Sequence, residues 1–130
     1  MNYTFMVLLM IFCHVIADYN LQGWLASAKQ KEWWEKNSPE KMYSKDYIWA
    51  LLMHSFSWSF MIMLPIALIH YRFDIDGIFV YVFVLNFILH TLVDDIKANK
   101  KLFNLWTDQI MHLVQIIFTA IMFIVPGTVM

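Results

Sequence analysis

The sequence predicts an all-α integral membrane protein, a single four-helix bundle with its N- and C-termini on the non-cytoplasmic side. Three observations predict it. Of 130 residues, 61% are hydrophobic and 18% aromatic, with only three glycines and three prolines; soluble domains usually hold about 45–50% apolar residues. Four apolar runs of about 20 residues each are long enough to cross a hydrocarbon core of about 30 Å as helices. Lysines gather in two of the three connections between those runs.

The runs place spans at about residues 3–27, 47–70, 78–97 and 105–125. The first is interrupted only by Asp18; it lacks a positive leader and a small-residue cleavage motif, so it reads as a retained helix. The segment 28–46 is the one long polar stretch, with Trp33 and Trp34 suited to the headgroup region and Ser38-Pro39 marking a turn, with Pro39 and Glu40 positioned to open a short interfacial helix. Helices are required, because four segments cannot close a barrel and open edges are not tolerated in lipid. Length allows one domain, covering 1–130.

Orientation follows from loop charge. Lys29, Lys31, Lys36, Lys41 and Lys45 lie in the first connection and Lys97, Lys100 and Lys101 in the third, against Arg72 alone in the second. The positive-inside rule puts the lysine-rich loops, 28–46 among them, in the cytoplasm of a multi-pass inner-membrane protein. A net charge of −1 and the lack of a basic stripe argue against a nucleic-acid partner. The single Cys13 excludes an internal disulfide.

Within the apolar runs stand His14, Asp18, His54, His90, Asp94, Asp108 and His112. An Asp at a membrane-helix centre costs about 2.5–3.5 kcal/mol on insertion scales, so seven ionisable groups at one depth point to joint use. The spacing is His-x-x-x-Asp on helices one and three and the reverse on helix four, as antiparallel helices need to match two layers. An i, i+4 pair shares a helical face. Gln22, Asn86 and Gln115 continue the same faces. Imidazole and carboxylate in a bundle core suit a divalent ion, zinc first, with manganese or iron as alternatives. All seven are candidate ligands, and Asp18, Asp94 and Asp108 are also candidate catalytic carboxylates. A plainer reading has the same residues pair with one another to hold the bundle together.

Other polar residues read as bystanders. His70 beside Arg72 is expected at the far interface in water, and Asp95 with Lys97 at the near one. Ser55, Ser57 and Ser59 are expected to bond their own backbone. The aromatic and methionine content reads as packing and lipid contact.

The segments HVIADYNLQGWLASAK, LLMHSFSW, LNFILHTLVDDIKANK and TDQIMHLVQI together resemble the family known as domain of unknown function 3307, small membrane proteins of bacteria and their phages. More distantly, MHSFS and ILHTLVDDI are similar to elements of inner-membrane proteins regarded as metal-dependent hydrolases. The resemblance implies a hydrolase; the insert KQKEWWEKNSPEKMYSKD has no counterpart in it.

The leading functional expectation is a membrane-embedded metal-dependent hydrolase opening to the cytoplasmic leaflet. Its substrate would be lipid-linked or amphiphilic and anionic, met by the lysines at the mouth. The competing expectations are a metal or proton carrier and a non-enzymatic interaction protein with a structural metal. The small bundle also suits a homo-oligomer.

Overall fold

The computed structural model describes residues 2–127, and among these the regular structure is helical throughout. Helix α1 spans Tyr3–Val15, with the Asn2 side chain accepting from the Phe5 amide at 3.0 Å as its N-cap. It runs on into a π-helical turn, Ile16–Leu21. Two short helices follow, α2 (Leu25–Ala28) and α3 (Lys31–Asn37), then a 3-10 turn at Lys41–Tyr43. The long helices α4 (Asp46–Ile69), α5 (Gly77–Ala98) and α6 (Leu105–Gly127) complete the chain.

The predicted second, third and fourth spans agree with α4, α5 and α6 to within two residues. The first differs. The helix does not continue to residue 27, because the chain turns at Gly23, whose φ of +48° is a left-handed conformation that glycine adopts without Cβ strain. The segment 28–46 is also more ordered than a polar linker. Trp34 donates from Nε1 to the Ala28 carbonyl at 2.6 Å, tying α3 back onto α2. Ser38 caps the end of α3, and Pro39 and Glu40 lead into the 3-10 turn at Lys41–Tyr43, with Glu40 at its N-cap.

Four helical stretches are long and apolar enough to cross a membrane: Tyr3–Leu21, Lys41–Ile69, Gly77–Ala98 and Leu105–Val125. Around the bundle, α4 packs against α1 and α5, and α6 closes the ring against α5 and α1. The outside is apolar: Phe12, Phe60, Ile88 and Ile117 are each about half exposed. The inside holds the charges, with all seven sequence-selected His and Asp side chains buried. Such an inverted distribution is costly in water and expected in lipid. The far half of the core, away from the lysine-rich connections, is filled by Met6, Met10, Ile62, Ile66, Ile116 and Phe123. Pro65 inside α4 removes one amide donor from the helix ladder and is itself buried in this half.

Candidate metal centre

The i, i+4 logic of the sequence is realised inside the bundle, toward its lysine-rich end. Asp18 comes from the π-helical turn after α1, His54 from α4, His90 and Asp94 from α5, and Asp108 and His112 from α6. The extra residue in a π turn rotates the chain relative to an α-helix, and such turns recur at functional sites. Here the turn carries Asp18 among the other five. His54 Nε2 lies 3.4 Å from Asp18 Oδ1 and 3.2 Å from Asp94 Oδ2. His112 Nε2 lies 3.3 Å from Asp108 Oδ1 and 3.4 Å from Asp94 Oδ1. His90 Nε2 is 3.2 Å from His54 Nε2.

Three overlapping groups could hold a cation: Asp18–His54–His90, His90–Asp94–His112 and Asp18–Asp108–His112, the ligand atoms in each lying within 4.8 Å of one another. The donor set also fits a cation by what it leaves unsatisfied. Asp18 Oδ1, Asp108 Oδ1 and His112 Nε2 are buried atoms without a hydrogen-bond partner among the described residues. Buried polar atoms are otherwise nearly always paired.

His14 is placed differently from the other six. Its Nδ1 accepts from Trp58 Nε1 at 2.8 Å, and its Nε2 lies 3.0 Å from Gln109 Oε1. An indole N–H only donates and an amide oxygen only accepts. His14 is therefore the tautomer protonated on Nε2, with both ring nitrogens engaged, and it belongs to none of the three groups. Gln109 uses its other end as well, its Nε2 donating to Asp18 Oδ2 and to Asp108 Oδ2, each at 3.1 Å. One amide thus links an imidazole and two carboxylates. Trp58 also stacks on His90 with ring centroids 4.0 Å apart and planes 12° from parallel.

Two lysines enter the site, Lys29 from the C-cap of α2 and Lys97 from the last turn of α5. Lys29 Nζ lies 2.5 Å from Asp94 Oδ2, with Lys29 itself only 8% exposed. Lys97 Nζ lies 2.5 Å from Asp108 Oδ2. Asp18 has no lysine partner among the described residues; Gln22 donates to its backbone carbonyl, not to its carboxylate. Below the cluster, Asn86, Gln115 and Thr119 form a second buried network, Gln115 Nε2 donating to Asn86 Oδ1 at 2.8 Å and Asn86 Nδ2 to Thr119 Oγ1 at 2.9 Å. Beyond it the core turns apolar.

Sequence reasoning missed Lys29, Lys97, Gln109 and Trp58 as members of the site. A signal existed for two of them. Trp58 follows His54 by four residues and so shares its face, and Gln109 is an amide inside an apolar run. The bystanders differ from expectation in part. Asp95 lies half-buried outside the site as expected, accepting from Asn99 Nδ2 at 2.9 Å, whereas Lys97 reaches into the site and binds Asp108. His70 packs against Tyr71 and Phe123, with its Nδ1 buried and unpartnered. The Ser55 and Ser59 hydroxyls are buried with no hydrogen bond to their own backbone.

Comparison of the chain with protein-family models, with curated proteins and with solved structures returns no match. The meaning of the site therefore rests on its own geometry.

Proposed function

We propose that this chain is a membrane-embedded metal-dependent hydrolase whose His/Asp centre opens toward the lysine-rich, cytoplasmic side and acts on a lipid-linked or amphiphilic substrate. The observation that carries the reading is the convergence of Asp18, Asp108 and His112, with Asp18 Oδ1, Asp108 Oδ1 and His112 Nε2 buried and without a hydrogen-bond partner among the described residues. His54, His90 and Asp94 complete the candidate ligand set. A divalent ion held there, zinc first by its affinity for imidazole and carboxylate, would supply Lewis-acid polarisation and an activated water near neutral pH. A carboxylate not committed to the ion would take a proton as general base; of the three, Asp18 alone has no lysine partner among the described residues. Gln109 and Trp58 fix the His14 ring, and Gln109 fixes the Asp18 carboxylate in turn. The apolar far half of the core favours a dead-end pocket over a pathway across the bilayer.

One observation supports a second reading. Lys29 and Lys97 each hold a site carboxylate at 2.5 Å, so the cluster is partly charge-compensated by the chain itself. On that reading the His, Asp and Lys residues form a polar network that fastens the bundle without a metal.

Elemental analysis of the detergent-purified protein beside Asp94→Asn and His112→Ala separates the two. Stoichiometric zinc, manganese or iron that falls in both variants supports the metal centre and opens a hydrolase substrate screen. If no sample holds metal, and added ions leave the melting temperature unmoved, the second reading stands.

A further inference from the structure

A separate feature lies at the corner where α2, α3 and the start of α4 meet. Four of the chain's six tryptophans, Trp24, Trp33, Trp34 and Trp49, gather there. Trp34 meets Trp24 edge-on at 5.9 Å and Trp33 edge-on at 5.1 Å, and it stacks on Tyr43 at 6.2 Å. With its indole N–H bound to the Ala28 carbonyl, Trp34 is fixed as a wall. Trp24, Trp34 and Trp49 line a cavity of about 300 Å³ together with Leu25, Met53 and Asp46. Asp46 makes no ion pair among the described residues, although Lys41 and Lys45 are close in sequence.

Interfacial tryptophans ordinarily spread around a bundle as a belt. Here three of them line one concavity together with Asp46, an acidic residue without an ion pair among the described residues. Indole faces attract cations through their quadrupole, and aromatic cages select alkylated ammonium groups, which shed their water more readily than metal ions do. An acidic residue in the lining adds charge complementarity. The height of the corner, at the first turn of a membrane-spanning helix, is that of lipid head groups.

We propose that Trp24, Trp34, Trp49 and Asp46 form a cage for the ammonium head group of a zwitterionic lipid. The cage would hold such a lipid against the polar segment that the sequence resemblance leaves without a counterpart. It shares no residue with the His/Asp centre, and its test needs no metal.

The test uses the full chain in a maltoside detergent, which has no ammonium group. Tetramethylammonium chloride is titrated in and its methyl proton resonance followed, with sodium chloride as the ionic-strength control. Binding among indole rings gives a saturable upfield shift. Trp49→Leu should weaken it about tenfold, the scale of one partly desolvated cation–π contact, and Asp46→Asn should weaken it about two- to fivefold, the scale of one half-exposed charge pair. Trp106→Leu, an exposed tryptophan on α6 away from the cavity, should leave it intact and shows that the effect is local. Dihexanoyl phosphatidylcholine should displace the probe while dihexanoyl phosphatidylglycerol should not. No saturable shift, or the same shift in Trp49→Leu and Asp46→Asn with their melting unchanged, overturns the cage. Probe binding that phosphatidylcholine does not displace overturns the lipid assignment.

Discussion

The Lys29 ammonium lies 2.5 Å from Asp94 Oδ2, and both residues are buried. A charge pair taken out of water is held by mutual attraction, and removing one partner leaves the other stranded. The pair would compete with a bound cation for the same carboxylate, and on the proposed reading it would link bundle stability to metal occupancy.

Lys29→Met keeps the unbranched side chain to within one heavy atom and removes the charge. In metal-free protein the variant should lose about 3–5 kcal/mol, the usual cost of stranding a buried charge. Added zinc should restore most of that loss, because Asp94 regains a cation. Thermal melting with and without zinc reads both effects. A variant that melts like the parent in metal-free buffer would show that Lys29 contributes nothing to holding Asp94.

Gln109 joins His14, Asp18 and Asp108 through one amide. Gln109→Leu keeps the approximate size and removes every one of those bonds. Partners that orient metal ligands typically contribute about 10–100-fold in affinity, and a loss of that size in zinc affinity is expected. Competition with a chromophoric chelator measures it. Unchanged affinity would mean that the two carboxylates hold their positions without the amide.

The turn at Gly23 gives a backbone prediction. A Cβ placed there would meet nothing within 4 Å, so a substitution costs only the left-handed conformation. Gly23→Ala should destabilise by roughly 1–2 kcal/mol, and Gly23→Asn by less, since asparagine visits that region more readily. If the alanine variant is as stable as the parent, the turn at residue 23 is not held in this conformation.

At the opposite end of the bundle, Asp76 caps α5. Its Oδ1 accepts from the Phe79 amide and from the Tyr71 hydroxyl, each at 2.9 Å. The amide bond, ahead of the hydroxyl, holds the Asp76 carboxyl below its ordinary value of 3.8. Burial, with Asp76 beside it, pushes the Tyr71 hydroxyl up to about 12. A depressed carboxyl binds fewer protons folded than unfolded, so its contribution is present above pH 3.8 and falls away as pH drops through the lower folded value. The tyrosine has the opposite sign, its contribution present below its ordinary value of 10.0 and lost as pH rises toward 12. Asp76→Asn should flatten the acid limb of a stability–pH curve, and Tyr71→Phe the alkaline limb. Both limbs unchanged would remove the pair from the account of α5's start.

Much of this was legible in the residues. The long helices follow from apolar length, and the shared depth of the histidines and aspartates follows from helical rise combined with alternating direction. What could not be read is how the chain behaves between periodic segments. Lys29 stands in a stretch whose composition says only water and head groups, yet the reversal at Gly23 folds that stretch over the end of the bundle and directs one lysine inward. The π turn is equally silent in composition, since Ile16–Leu21 looks like any helical run. Trp58 was legible as a core residue but not as a donor to His14, because that depends on how α1 and α4 are rotated against each other.

The distance along the chain between Lys29 and Asp94, 65 residues, has a consequence for biosynthesis. When the first apolar segment leaves the ribosome it carries Asp18, whose partners His54 and His112 have yet to be made. Lys29 likewise waits for α5 before it has a carboxylate to meet. No early segment is therefore electrically complete on its own. If the chain enters a membrane helix by helix, Asp18 would gain His54 with α4, the main neighbour of α1, and its remaining partners Gln109 and His112 only with α6.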